Sequence, residues 1–173
     1  WRLNGKYDDI QSVCSCGSCK VGWLQKFPEN ERAKAEEALK LYKDAQEMLH
    51  RFLDEKILKI NAVIGIFPAH SSEEDILVEF ENEKVKIPTL RQQIPATDGF
   101  CCSLADFLRP ENDWLGVFAN TVIGAEAFAE SFEKEDDMYT SILIKTLADR
   151  LAEATAEWLH YKIRKEIWGF VPD

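Results

Sequence analysis

The feature that most limits how this chain can fold is the stretch 136–168, DDMYTSILIKTLADRLAEATAEWLHYKIRKEIW, which contains neither Gly nor Pro. With nothing to break it, the stretch reads as one helix of about thirty residues, roughly 45 Å long. Asp136 or Asp137 stands where a carboxylate caps a helix start. Lys162, Arg164 and Lys165 stand near its end, the charge order a helix dipole favours. On a helical wheel, Leu143, Leu147, Leu151, Ala154, Trp158 and Tyr161 form one stripe, and Ala148, Ala152, Leu159 and Ile163 form the stripe beside it. So wide an apolar arc is expected to face a core, with Leu151 and Trp158 buried and Glu157 in water. The remaining arc carries Asp149, Glu153 and Glu157 at i, i+4 and i+8, with Arg150, His160 and Arg164 alongside. Carboxylates four apart repel, so this ladder needs water or a cation beside it.

A length of 173 residues with 46% hydrophobic content suffices for one domain with a substantial core. The net charge of -10 speaks against nucleic-acid binding, which needs a basic stripe to meet phosphates. No apolar run approaches the ~20 residues of a membrane span, and no secretory leader is visible. A chain that opens on Trp1 and not on Met is expected to be a piece of something longer. Five cysteines, an odd number without a leader, suggest reduced thiols in a cytoplasm. Three of them form Cys14-x-Cys16-x-x-Cys19, a spacing that looks like part of a metal site. Zinc takes four ligands, and Cys101 or Cys102 could supply the fourth only if the fold brought it near. With three ligands local, the cluster is expected to sit in a loop without a metal.

Residues 1–27 read as an irregular arm rich in Gly, Ser, Asp and Cys, and residues 28–173 as the body of a single domain. Pro28 opens a second helix, the position Pro prefers. Its apolar positions Ala38, Leu41, Tyr42, Ala45, Met48, Leu49, Phe52 and Leu53 continue at 3–4 spacing to about Lys56. From Asn61 the pattern changes. Ala62-Val-Ile-Gly-Ile-Phe67 is expected to be a strand buried on both faces and stopped by Pro68. Ile76–Phe80 and Lys84–Ile87 are further strands, with turns short enough for antiparallel pairing. Thr89 to Ile94 could make one helical turn. Trp114 to Val122 is a fourth strand, followed by a helix from about Ala125 to Lys134. The fold class is α+β: a small, largely antiparallel sheet packed against long helices.

Signatures of self-contained chemistry are missing. There is no Gly-rich phosphate loop, no nucleophile elbow and no paired zinc histidines. His50, His70 and His160 are far apart in sequence. Cys101 and Cys102 lie near Asp98, which gives no electropositive setting for a thiolate. Arg91 and Arg109 could clamp an anion. No catalytic residue follows from these residues.

Several runs, however, occur together: Leu41-Tyr-Lys-Asp-Ala-Gln-Glu-Met-Leu49, Ile64-Gly-Ile-Phe-Pro-Ala69, Leu90-Arg-Gln-Gln93 and Cys102-Ser-Leu-Ala-Asp-Phe107. The longest is Leu147-Ala-Asp-Arg-Leu-Ala-Glu-Ala154, continued by Trp158-Leu-His160 and Arg164-Lys-Glu-Ile-Trp-Gly169. In order and spacing, the chain resembles the C-terminal activation domain of cobalamin-dependent methionine synthase. Trp1-Arg-Leu-Asn-Gly-Lys-Tyr7 is similar to that family's Trp-x-Leu-x-Gly-Lys-Tyr segment, and the three cysteines fall in an apparent insertion, residues 8–24.

The resemblance implies a domain that binds S-adenosylmethionine and supports reductive methylation of cob(II)alamin to methylcobalamin. The cobalamin is then held by a neighbouring domain of the same polypeptide, and the electron comes from flavodoxin or a flavin reductase. It places one family contact here, Glu153, in a ladder whose charge suits a cationic sulfonium ligand. The family's site also draws on an Asp upstream of Trp1 and an Arg-x-x-x-Gly-Tyr motif downstream of Asp173. The 173 residues are therefore expected to form an incomplete domain, inactive alone. Two other readings stand beside this one. The chain could be a non-catalytic docking domain for cobalamin or reductase partners, or a metal or redox module built on Cys14, Cys16 and Cys19.

Overall fold

The structure, a computed structural model, describes residues 9–10, 13, 17–96 and 99–171, with the backbone alone at 17–19. Cys14 and Cys16 lie outside the described residues, as does the Cys19 side chain. The chain forms two compact units. One is helical and takes the described residues through Ile60 with Val122–Ala154; the other is built on a sheet and takes Asn61–Thr121 with the residues from Thr155 onward.

The helical unit begins with α1 (Gly17–Leu24), so the expected irregular arm is in part a helix. The reason is burial. Trp23 and Phe27, rings 4.8 Å apart, pack with Ile10 against Ala35 and Leu39 of α2 (Arg32–Asp54). Pro28 is extended (ψ 152°) and leads into a 3-10 turn, Glu29–Glu31, so α2 starts four residues later than the proline suggests. The buried side of α2 is Ala35, Leu39, Met48 and Phe52. Leu41 and Leu53, placed on the core side by spacing, are 49% and 75% exposed. Lys56, with φ 51°, ends the helix, and the Ile57 amide donates to the Phe52 carbonyl, the six-to-one bond of a left-handed cap. Gly124 (φ 102°) starts α3 (Ala125–Glu133), and its absent Cβ leaves room for the Ile57 carbonyl.

Between α3 and α4 (Met138–Lys162) the two acidic candidates divide the work. Asp136 turns the chain at φ 60°. Asp137 is the cap, its carboxylate accepting from the Thr140 amide (3.0 Å) and hydroxyl (2.7 Å). The main core joins Met48, Phe52, Ala125, Ala129, Leu143, Ile144 and Leu147. Ile144, in neither wheel stripe, has no exposed surface, while Leu151 is half-buried. Trp158 and Tyr161, expected in the core, are 56% and 51% exposed, and Leu159 and Ile163 are buried instead. Apolar residues cover about half of this helix, so periodicity alone does not choose which edge of the arc turns inward. Glu157 is exposed, as expected. After Lys162 the helix passes into a π-helical turn, Ile163–Ile167.

The sheet has four antiparallel strands in the order β3-β2-β1-β4: β1 (Lys59–Ser72), β2 (Asp75–Phe80), β3 (Glu83–Pro88) and β4 (Asp113–Ile123). Glu81 and Asn82, at φ 47° and 76°, make the two-residue turn that joins β2 to β3. β1 runs through Pro68 and does not stop there; its ladder with β2 begins at the next residue, Ala69↔Val78. Proline has no amide to donate, so it sits where pairing with β2 ends. Nor is β1 buried on both faces, since Ala69 is its one buried residue. Residues 89–94 are not helical. Thr89 bonds the Glu74 carbonyl through its amide and hydroxyl, and the Gln92 amide donates to the Cys102 carbonyl. The loop's backbone groups are thereby committed to neighbouring strands and loops. No helix among the described residues is long and apolar enough to cross a membrane.

Candidate functional site

The polar arc of α4 begins at the capped start and runs toward the ladder of carboxylates. Two turns in, the Lys145 ammonium donates to Glu133 of α3 at 2.9 Å and lies 3.6 Å from Glu126. Glu133 also accepts from the Ser141 hydroxyl at 2.7 Å. These donors stabilise the Glu133 carboxylate and lower its pKa, with the Ser141 bond the largest cause. Two turns further on stands Glu153. Its side chain is 47% exposed, and Arg150 Nη1 lies 2.8 Å away, an i,i+3 ion pair along the helix. Asp149 and Glu157, its neighbours in the ladder, are exposed. The ladder therefore faces water as a set of accessible carboxylates, with one arginine partly balancing Glu153.

Arg91 does not serve as an anion clamp. Its guanidinium donates to both oxygens of Asp106 (2.7 and 3.0 Å), to Glu74 (2.8 Å) and to the Cys101 carbonyl (2.7 Å). Asp106 is held from the other side by the Ser103 amide at 2.8 Å, within a capping box around the 3-10 turn Leu104–Phe107. The Arg91 bond, then the Ser103 bond, bring the Asp106 pKa down to about 2. Beneath it the Thr89 and Ser103 hydroxyls, both buried, meet at 2.6 Å. This fork-shaped clamp fastens Arg91 and the 3-10 turn Leu104–Phe107 to Glu74, between β1 and β2. Arg109 is 73% exposed and lies 3.8 Å from Asp113. The Ser-x-x-Asp spacing at 103–106, not used in the sequence reading, is the signal that could have revealed this cap.

A third polar contact was invisible in the sequence because its partners are 95 residues apart. The Tyr139 hydroxyl donates to Asp44 at 2.6 Å, which raises the Tyr139 pKa to about 12. It closes one side of a hollow of about 340 Å³ bordered also by Glu47, Arg51 and Leu143. A larger hollow, about 410 Å³, lies among Leu49, Phe52, Leu58 and Leu151. In the sheet unit a wholly apolar hollow of about 290 Å³ is lined by Phe67, Val78, Phe80, Val85, Ile87, Leu115 and Val117. Glu153 borders none of the three. Among the described residues no group of three or more His, Cys, Asp or Glu is placed to hold a metal ion, and Cys101 and Cys102 are free thiols.

The family model for the vitamin B12 dependent methionine synthase activation domain matches residues 1–173, and the chain belongs to that family. A solved structure described as the crystal structure of the MetH reactivation domain bound to AdoHcy is 35% identical, with a TM-score of 0.71. The match covers 95% of this chain and 51% of that one, so this chain spans about half the length of the solved domain.

Proposed function

We propose that this chain is part of the reactivation module of cobalamin-dependent methionine synthase, binding S-adenosylmethionine for the reductive methylation of cob(II)alamin. The observation that carries this reading is the 35% identity, over 95% of the chain, to a reactivation domain solved with AdoHcy. The partners are a cobalamin-binding domain of the same polypeptide and a flavodoxin or flavin reductase, in the cytoplasm. When bound, S-adenosylmethionine supplies the methyl group and cobalamin accepts it; this chain's part is to bind and orient.

Glu153 is the residue we assign to the ligand. The fit is good in charge: an accessible carboxylate, within a ladder of like charge, suits a sulfonium or ammonium group. It is incomplete in enclosure, because small-ligand sites need several convergent polar groups in an apolar wall, and Glu153 borders none of the hollows described. Arg150 Nη1 pairs with Glu153 Oε2 at 2.8 Å. The 173-residue chain alone is accordingly inactive and binds the ligand weakly.

Titration calorimetry with S-adenosylmethionine tests this on three proteins: the 173-residue chain, a longer chain carrying the Arg-x-x-x-Gly-Tyr motif, and that longer chain with Glu153→Gln. The first shows little or no heat, the second binds, and the third binds about tenfold or more weakly, the worth of a charged hydrogen bond. Equal affinity of the second and third proteins removes Glu153 from the site. No binding by the second removes the ligand reading itself.

A further inference from the structure

Ser141, Lys145, Asp149 and Glu153 form one i, i+4 row on α4. Each step of four residues advances about 40° around a helix, so such a row winds slowly from one side to another. Here it climbs out of the protein. Ser141 has no exposed surface, the Lys145 side chain is 40% exposed, and Asp149 and Glu153 are exposed. The buried end is fastened to α3 at one oxygen. Glu133 Oε1 accepts from the Ser141 hydroxyl at 2.7 Å and from the Lys145 ammonium at 2.9 Å. Glu126, 3.6 Å from the same ammonium, adds a second carboxylate of α3. Glu133 is the last residue of α3, the negative end of its own helix, where a carboxylate is disfavoured unless donors face it. Its place is therefore explained by what it holds on α4.

Apolar burial alone sets the rotation of α4 loosely. Ile144 is fully buried, yet Ile142 in the same turn is 59% exposed, so α4 offers apolar side chains on more than one side. A rotation of about 20° would carry a carboxylate at the helix rim by roughly 2 Å, more than a hydrogen bond tolerates. It would also pull the buried Ser141 hydroxyl from its acceptor, and an unpaired buried hydroxyl is disfavoured. The helix is unbroken from Met138 to Lys162, so an orientation fixed at Ser141 and Lys145 holds at Glu153, roughly 12 Å beyond Lys145. We propose that Glu133 is a positioning residue for S-adenosylmethionine binding: through Ser141 and Lys145 it sets the rotation of α4 and so aims the Glu153 carboxylate. The inference rests on the assignment of Glu153 to the ligand.

The test is titration calorimetry with S-adenosylmethionine on the full-length polypeptide that carries this chain, in a double-mutant cycle of Glu133→Leu and Glu153→Ala. Glu133→Leu keeps the bulk but removes the acceptor, and should weaken binding about fivefold, the equivalent of one ordinary hydrogen bond. Glu133→Gln retains an acceptor oxygen for Ser141 and should recover most of that affinity. With Glu153→Ala already present, Glu133→Leu should cause no further loss, since no carboxylate is left to aim. A merely structural role would give the same loss in both backgrounds, and that result overturns the proposal. Unchanged affinity in Glu133→Leu, where Glu153→Ala alone binds more weakly, also overturns it; Glu153 then keeps its assignment and only the positioning role falls. Unchanged affinity in Glu153→Ala alone removes the ligand assignment, and the proposal with it. Should Glu133→Leu not fold, Ser141→Ala, which deletes the buried donor with little change of volume, takes its place in the cycle with the same outcomes.

Discussion

The helical unit and the sheet unit handle apolar surface in opposite ways. In the helical unit α2, α3 and α4 close on one another, and Ala129 and Ile144 lose all contact with solvent. In the sheet unit the buried cluster is small, Ala69, Ile76, Val78 and Ala105, and the same face continues outward as a hollow rimmed by half-exposed Phe80, Val85 and Ile87. Helices bury an apolar stripe by packing directly on one another, whereas a sheet buries a face only when another layer is laid over it. Beside its small core the sheet unit carries a polar fastening. That fastening is the Arg91 clamp, with its two carboxylates, and the buried Thr89–Ser103 hydroxyl pair.

The largest effect that can break this comparison is a cavity in the helical core. Ile144→Ala should lower stability by about 2–5 kcal/mol, while Phe80→Ala, which removes a ring already 47% exposed, should cost less than half as much. Denaturant midpoints of the two variants at equal m-value make the measurement. Equal losses would show that the sheet face is as well covered as the helical core.

Next in size is the response of the clamp to acid. The folded Asp106 pKa is lowered from 3.8 to about 2, so the ionised form is the one the fold favours. Its stabilisation is present in full above the unfolded value, near pH 4, and is lost as pH falls toward 2. Protection factors of the amides in residues 89–96 and 99–106 should fall across that window, and Asp106→Asn should remove that fall while lowering protection at neutral pH. An acid response unchanged in Asp106→Asn would place the fastening elsewhere.

The smallest effect sharpens the reading of α4. Trp158→Ala should change the stability of this chain by no more than about 0.5 kcal/mol, the range of ordinary surface substitutions, because the ring is 56% exposed and its one described ring contact is Lys162, 5.6 Å from the centroid. A loss comparable to Ile144→Ala would restore the wheel reading that put Trp158 in the core.

What could be read without coordinates was mostly local. The Gly- and Pro-free run gave α4 its existence and length, and period-two alternation in Lys84–Ile87 gave β3, since these depend on backbone propensity and spacing within a few residues. The collinear runs ending in Trp-Gly identified the family, now matched over residues 1–173. For the candidate site, sequence supplied the ladder around Glu153 with Arg150 alongside, and the structure pairs the two at 2.8 Å. Arg91 shows a limit over longer range. As a lone arginine it was free to meet an anion, and only the fold brought Glu74 and Asp106 to it from 17 and 15 residues away. Tertiary structure alone also decided the strand order, the passage of β1 through Pro68, and the turn of α4 that buries Ile144 and leaves Trp158 outside. In each case the deciding energy comes from contacts between segments far apart in sequence, so no local pattern records it.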